Sequence, residues 1–421
     1  MVTCAQLRDA QPNLWAAAGQ GWSDAASHSR NCADIVHQRG AKQVESNWAD
    51  QVGETARSSL VDLANKFDSA FDEMRGATMV LDGLSQAVSA LQSELDVIVK
   101  MAPALRVSLN PDGTVDPVAS SGATTIELFV VLSEIRSVLD RAGAADNLAA
   151  EAIKRINNSS TITDPSQAVN KVQVQASHDQ LAIIAADVPK AGSSPEDVKR
   201  WWSSLENKQQ QQLMRALPTQ IAGLDGIPQD VKASLHGSGS YDPIKAVEWA
   251  ESHYNDGKYG ATTLFSDNCT EFASEVLRGG GLPASNNGLG ILDDQNWLAT
   301  GDSGVKSIDE HLRTPAWDTS PGLHGFLTGD GGGKEVPLSD VKPGDVIFFQ
   351  QDAPNPDQGD DSRQEGMFHH TAIVTAVTPD GDIRYTQQSD NQHDLSLNGR
   401  DENLLDAYGN QKIVAVRVNG G

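Results

Sequence analysis

Between Leu60 and Ile98 apolar residues return every three or four positions: Leu60, Leu63, Phe67, Ala70, Met74, Ala77, Leu81, Leu84, Val88, Leu91, Leu95 and Ile98. That spacing is one face of a long helix with a heptad seam. A shorter stripe of Leu14, Trp15, Ala18, Trp22, Ala25 and Ala26 runs toward Val36, ahead of an expected stop at Gly40. It follows a capping box, in which Thr3 accepts from an orphan amide and Gln6 reaches back. A seam of that length needs covering, which predicts an antiparallel helical hairpin or bundle. Gly76 and Gly83 weaken its helix slightly and permit close approach.

LRVSLNPDGTVDP alternates around NPDG and predicts a small hairpin, after which helix resumes near Thr125 and again from Pro165 to about Val188. Ser194, Pro195 and Asp197 open a further helix carrying Trp201 and Trp202. Helical spacing places Trp15, Trp22 and Trp48 in the core.

The Gly, Pro and Ser-rich stretch GLDGIPQDVKASLHGSGSYDP closes the helical region. Beyond it come helices over about 242–254 and 268–278. Strands follow near 345–350, 371–377, 382–387 and 413–418, where VIFFQ, TAIVTAV, IRYTQ and IVAVRV alternate between KPGD and TPDGD turns. The class is α+β: an all-α N-terminal hairpin or bundle over 1–189, a helical connector over 190–238, and an α+β domain over 239–421.

Charge narrows the partners. Among 421 residues, 57 acidic against 32 basic side chains give a net charge of -25, which opposes phosphate backbones and anionic lipid. No run of about 18 uncharged apolar residues is present to span a bilayer. The N-terminal sequence lacks the basic and apolar regions of a cleaved secretory signal. Cys4, Cys32 and Cys269 do not make a disulfide framework and read as three free thiols.

Cys269, in SDNCTEFASEVLRGGG, falls at a helix N-terminus with Asp267 or Asn268 as cap, where unpaired amides and the dipole favour thiolate. A buried structural cysteine is the plainer alternative. GMFHHTAIVTAV sets His369 and His370 at the entrance to a strand, their side chains facing opposite ways, so that one can serve a nearby thiol as general base and acid. IRYTQQSDNQHD then offers Gln388, Asp390 and Asn391 to orient that imidazole. His393 reads as a solvated loop histidine. Asp357, Asp360, Asp361 and Glu365 could hold calcium, although their spacing fits no EF-hand and a solvated loop explains them.

The strings DNCTEFASEVLRGGGLP, PGDVIFF, HHTAIVT and YTQQSD, in that order over about 240–418, resemble the putative amidase domain family, a papain-like group related to NlpC-type and CHAP-type cysteine hydrolases. The resemblance implies a papain-like domain with a central antiparallel sheet and no metal or organic cofactor. It puts the nucleophile at Cys269, its base at His370 rather than His369, and the orienting group at Gln388 or Asp390. The Cys269 amide is implied as part of an oxyanion hole, and His253 and Tyr254 as packing against the catalytic helix. MVTCAQLRDA, the long hairpin and LNPDGTV are similar to WXG-like helical modules of actinobacterial type VII secretion substrates, with NWAD at Trp48 in place of WXG.

Together these resemblances imply a cysteine-dependent hydrolase of amide bonds, acting on a peptidoglycan peptide or a protein amide. They imply export without a cleaved signal as an effector or toxin, with a helical secretion partner or an immunity protein. The alternative is a catalytically impaired binding or delivery module whose helices mediate the interaction.

Overall fold

The computed structural model describes residues 2–159, 162–256, 269–286, 296–299, 313–352, 364–388, 392–400 and 411–421. It is α+β, with long helices first and a six-stranded antiparallel sheet after them. The chain forms two compact units, Met1–Gln210 and Gln211–Gly421. Residues 211–238 thus share a compact unit with the sheet. Among the described residues no helix is long and apolar enough to cross a membrane.

The first unit begins with α1 (Cys4–Asp9), closed by the Thr3 and Gln6 capping box, and α2 (Pro12–Ile35), with Pro12 in its first turn. Gly40 does not stop the helix. A π-helical segment, Val36–Ala41, carries it into α3 (Lys42–Asn47). A glycine inside a helix costs only about 1 kcal/mol, and here its bare face lies against the Leu60 side chain. Asp50 caps α4 (Gln51–Met101) by accepting from the amides of Val52 and Gly53 at 2.9 Å.

Hydrogen bonds from Ser29 to the Phe67 carbonyl, Thr78 to that of Gly19 and Ser85 to that of Pro12 fix α2 and α4 as an antiparallel hairpin. The seam is uneven: Leu84, Val88, Leu91, Leu95 and Ile98 are buried, whereas Leu63 is exposed. Trp22 and Trp48 are likewise 46% and 48% exposed, which corrects their placement in the core. Helical spacing fixes a face but not whether another element covers it.

Leu109 and Val115 form a single antiparallel bridge around Gly113, whose φ is +83°, so the expected hairpin is one turn. Then come α5 (Thr125–Asn158), opened by a Thr124 and Glu127 capping box, α6 (Pro165–Ala168), α7 (Val174–Ala185) and α8 (Pro195–Ser204), capped by Ser194. Gly76 and Gly83 do permit close approach: a Cβ on Gly76 would stand 3.3 Å from Ala176 and Val172, and one on Gly83 3.1 Å from the Gln180 carbonyl. The unit boundary falls within α9 (Asn207–Ala216).

In the second unit α10 (Pro218–Gly223) and α11 (Gln229–His236) precede α12 (Pro243–His253), which Asp242 caps. The Gly-rich joint is anchored by the Ser238 amide, which donates to the Gly420 carbonyl at 2.9 Å. After α13 (Cys269–Gly279), α14 (Pro315–Asp318) and α15 (Ser320–Thr328) come β1 (Lys334–Val336), β2 (Val346–Gln351), β3 (Phe368–Val377), β4 (Ile383–Gln387), β5 (Gln392–Ser396) and β6 (Gln411–Arg417). The sheet order is β1-β6-β2-β3-β4-β5.

The four expected strands are present, and β1 and β5 are additional. Val346, Phe348, Ile373 and Val416 join Phe272, Trp297, Trp317 and Phe326 in one core. Ile347, Phe349, Ala372 and Val374, which alternate with them, are equally buried, so the middle strands are covered on both faces.

Candidate active site

Cys269 is the first residue of α13 and is almost fully buried. Its proposed caps, Asp267 and Asn268, lie outside the described residues. Burial pushes the thiol pKa up. The charge and hydrogen bond of His370, then the Thr371 backbone and the Thr270 hydroxyl, outweigh that and bring it from 9.0 to about 7. Cys4 is the contrast: it is buried, and desolvation raises its pKa.

His370 stands in β3 opposite Phe349, with their rings 5.1 Å apart. Its Nε2 meets the Oε1 of Gln387 at 2.5 Å, which leaves Nδ1 for the thiol. His369 points elsewhere and bonds through Nε2 to Gln411. The two histidines thus turn to different partners, His370 to Gln387 on the adjacent β4 and His369 to Gln411 on β6, beyond β2.

The residue on the imidazole is therefore Gln387, one position before Gln388. Ile373 pairs with Thr386, and continuing that register sets Gln387 on the face of His370, within diagonal reach, and Gln388 on the opposite face with Thr371. Gln388 is buried in the turn after β4. Asp390 and Asn391 lie outside the described residues, as do Asp357, Asp360 and Asp361. Two adjacent glutamines differ only in parity, so choosing between them required the strand register.

Beneath the Cys269 and His370 pair, three buried hydroxyls join three elements. Thr270 lies 2.9 Å from Ser320, and Thr371 donates to Ser320 at 2.8 Å. Thr270 follows the cysteine in sequence and Thr371 follows the histidine, so this contact holds α13, α15 and β3 in register next to the thiol. On α13, Glu271 is buried and paired with Arg313 at 2.5 Å, which also lies 3.6 Å from Asp318.

None of Thr270, Ser320, Thr371 or Arg313 was legible as a site residue. Their polarity in an apolar context was the available signal. His393 is not in a solvated loop: it belongs to β5 and stacks on Tyr254 at 5.1 Å. His253 stacks on Trp249 at 4.2 Å. Among the described residues no group of three His, Cys, Asp or Glu side chains is arranged to hold a metal.

Residues 240–416 match the family model described as "Putative amidase domain", which spans the described site residues and all but the last residue of the sheet. The chain is 29% identical over 144 residues to "Uncharacterized protein YhbB" of Bacillus subtilis (strain 168). That match covers 32% of this chain and 37% of the relative, so the chain spans little more than a third of the relative's length. No solved structure matches.

Proposed function

We propose that the second unit is a cysteine-dependent amide hydrolase of papain-like design, with Cys269 as nucleophile, His370 as general base and acid, and Gln387 as orienting group. The observation that carries this is a buried helix-terminal thiol whose pKa His370 lowers, with the Nε2 of that imidazole held by the Gln387 amide. The amidase-domain match over 240–416 supports the substrate bond.

The thiol proton passes to His370 Nδ1, and the thiolate attacks the amide carbonyl carbon. Charge moves to the carbonyl oxygen, toward the amides of the first turn of α13, the Cys269 amide among them. Collapse expels the amine with the proton returned by His370, leaving a thioester on Cys269. His370 then deprotonates water, which attacks the thioester, releases the acid and restores the thiol. The substrate is a peptidoglycan peptide or a protein amide.

Purified peptidoglycan treated with wild type and with Cys269→Ala, its products identified by mass, tests the reading. Cleaved peptide stems with wild type alone are expected. Identical products from both proteins would overturn the role of Cys269.

A further inference from the structure

The pairing of β4 with β5 carries a defect at one place. Arg384 stands opposite Ser396 and Tyr385 opposite Leu395, and that register continued would set Gln387 against His393. Instead His393 and Asp394 together face Thr386, and Gln392 pairs with Gln387. This is a β-bulge with the extra residue in β5. Asp394 has φ +50°, one of two non-glycine residues with positive φ among the described residues. Such a conformation costs roughly 1–3 kcal/mol in an L residue. It is held by the Thr375 hydroxyl, which donates to Asp394 Oδ1 at 2.5 Å, and by the Asp394 amide, which donates to the Thr386 hydroxyl at 3.2 Å.

The bulge delivers one contact to the site. Gln387 Nε2 donates to Gln392 Oε1 at 3.2 Å, while Gln387 Oε1 faces His370 Nε2. We propose that Gln392 is a positioning residue that fixes the amide orientation of Gln387 and thereby the Nε2–H tautomer of His370. This rests on the reading of Cys269 and His370 as the reacting pair.

An amide is ambiguous where a carboxylate is not. Its oxygen and nitrogen ends are nearly the same size, and turned over it would present N–H to His370 Nε2. The ring would then carry its proton on Nδ1, the nitrogen that must accept from the thiol, and the transfer would be blocked. The contact with Gln392 couples the two amides: with Gln392 Oε1 facing it only the NH₂ end of Gln387 fits, so Gln387 cannot turn over unless Gln392 turns with it. The bulge replaces His393, a ring, with Gln392, whose amide oxygen reaches that position.

The test uses the full chain with ¹⁵N-labelled histidine. Wild type, Gln392→Leu and Gln392→Glu are compared by the His370 ring-nitrogen shifts and by the pH profile of Cys269 labelling with iodoacetamide. The expected result is an Nε2–H ring in wild type and a mixture in Gln392→Leu, whose labelling midpoint rises by about one pH unit as the imidazolium loses its fixed acceptor. Gln392→Glu offers an acceptor at both oxygens and should keep the wild-type tautomer.

An unchanged His370 tautomer in Gln392→Leu overturns the proposal, as does a Gln392→Glu protein that behaves like Gln392→Leu. The ring shifts report on Gln392 even if Cys269 proves unreactive in wild type; that separate result would overturn the nucleophile assignment instead.

Discussion

In the helical unit Arg141 lies between two acids, 2.6 Å from Glu94 and 3.4 Å from Asp187, and also donates to the Asp187 carbonyl. In the sheet unit the thiol, the imidazole and the Gln387 and Gln392 amides form a file. Each arrangement has a buried acid at its centre, and in each a pKa value shifts toward neutrality: Asp187 is pushed up to about 7, by burial first and by Glu94 against the pull of Arg141, and Cys269 comes down to about 7. The difference lies in where the charge can go. Arg141 is fixed between its partners and joins α4, α5 and the end of α7. In the sheet unit the proposed mechanism moves a proton from sulfur to nitrogen, with the amides beyond holding the ring without taking that proton.

The largest expected effect separates the two. Cys269→Ala should reduce hydrolysis by about 10³-fold or more, since the nucleophile has no substitute. Arg141→Met should leave turnover per folded molecule unchanged. Product release from peptidoglycan measures both, and a turnover loss in Arg141→Met matching that of Cys269→Ala would break the division.

His370→Ala comes next, with an expected loss of roughly 10² or more, the usual contribution of a general base. Its labelling midpoint at Cys269 should rise from about 7 toward 9.0, because the imidazole lowers the thiol pKa. His369→Ala, which loses the contact with Gln411, should stay within about threefold of wild type. If His369→Ala were instead the inactive variant, the base assignment would be reversed.

Periodicity carried much of this fold and less of the site. The α4 stripe was legible as a helix, and Ser194 and Thr3 as caps, because those features depend on neighbours in sequence. The exposure of Trp22 and Trp48 was not, because it depends on which surfaces other helices reach. Cys269 and His370 stood out through a helix start and a strand entrance. Gln387 did not, since parity across β3 and β4 decides it, and β5 was hidden because QHDLS is short and interrupted by a bulge.

On stability, Arg141→Met should have the clearest effect. Removing the cation leaves the buried Asp187 and the half-buried Glu94 without the Arg141 charge, which costs about 3 kcal/mol even after protonation relieves part of it. Urea unfolding followed by hydrogen exchange, read separately over each unit, would show the loss in 1–210. Equal loss in both units would mean that they unfold as one.

The smallest effect is the pH dependence of stability, where the units should differ in sign. Asp187 has a raised folded pKa, so its contribution is full below 3.8 and is lost as pH rises through about 7. Glu251, pushed up to about 7 by burial first and then by Asp394 and Glu248, acts the same way in the sheet unit. Cys269 acts oppositely: its folded pKa is depressed from 9.0, so its contribution is full above 9.0 and is lost as pH falls through about 7. From pH 5 to 7 both urea midpoints should therefore fall. From pH 7 to 9 the helical unit should level off while the sheet unit recovers in part, and Cys269→Ala should remove that recovery. A recovery that persists in Cys269→Ala would mean that a group other than the thiol supplies it.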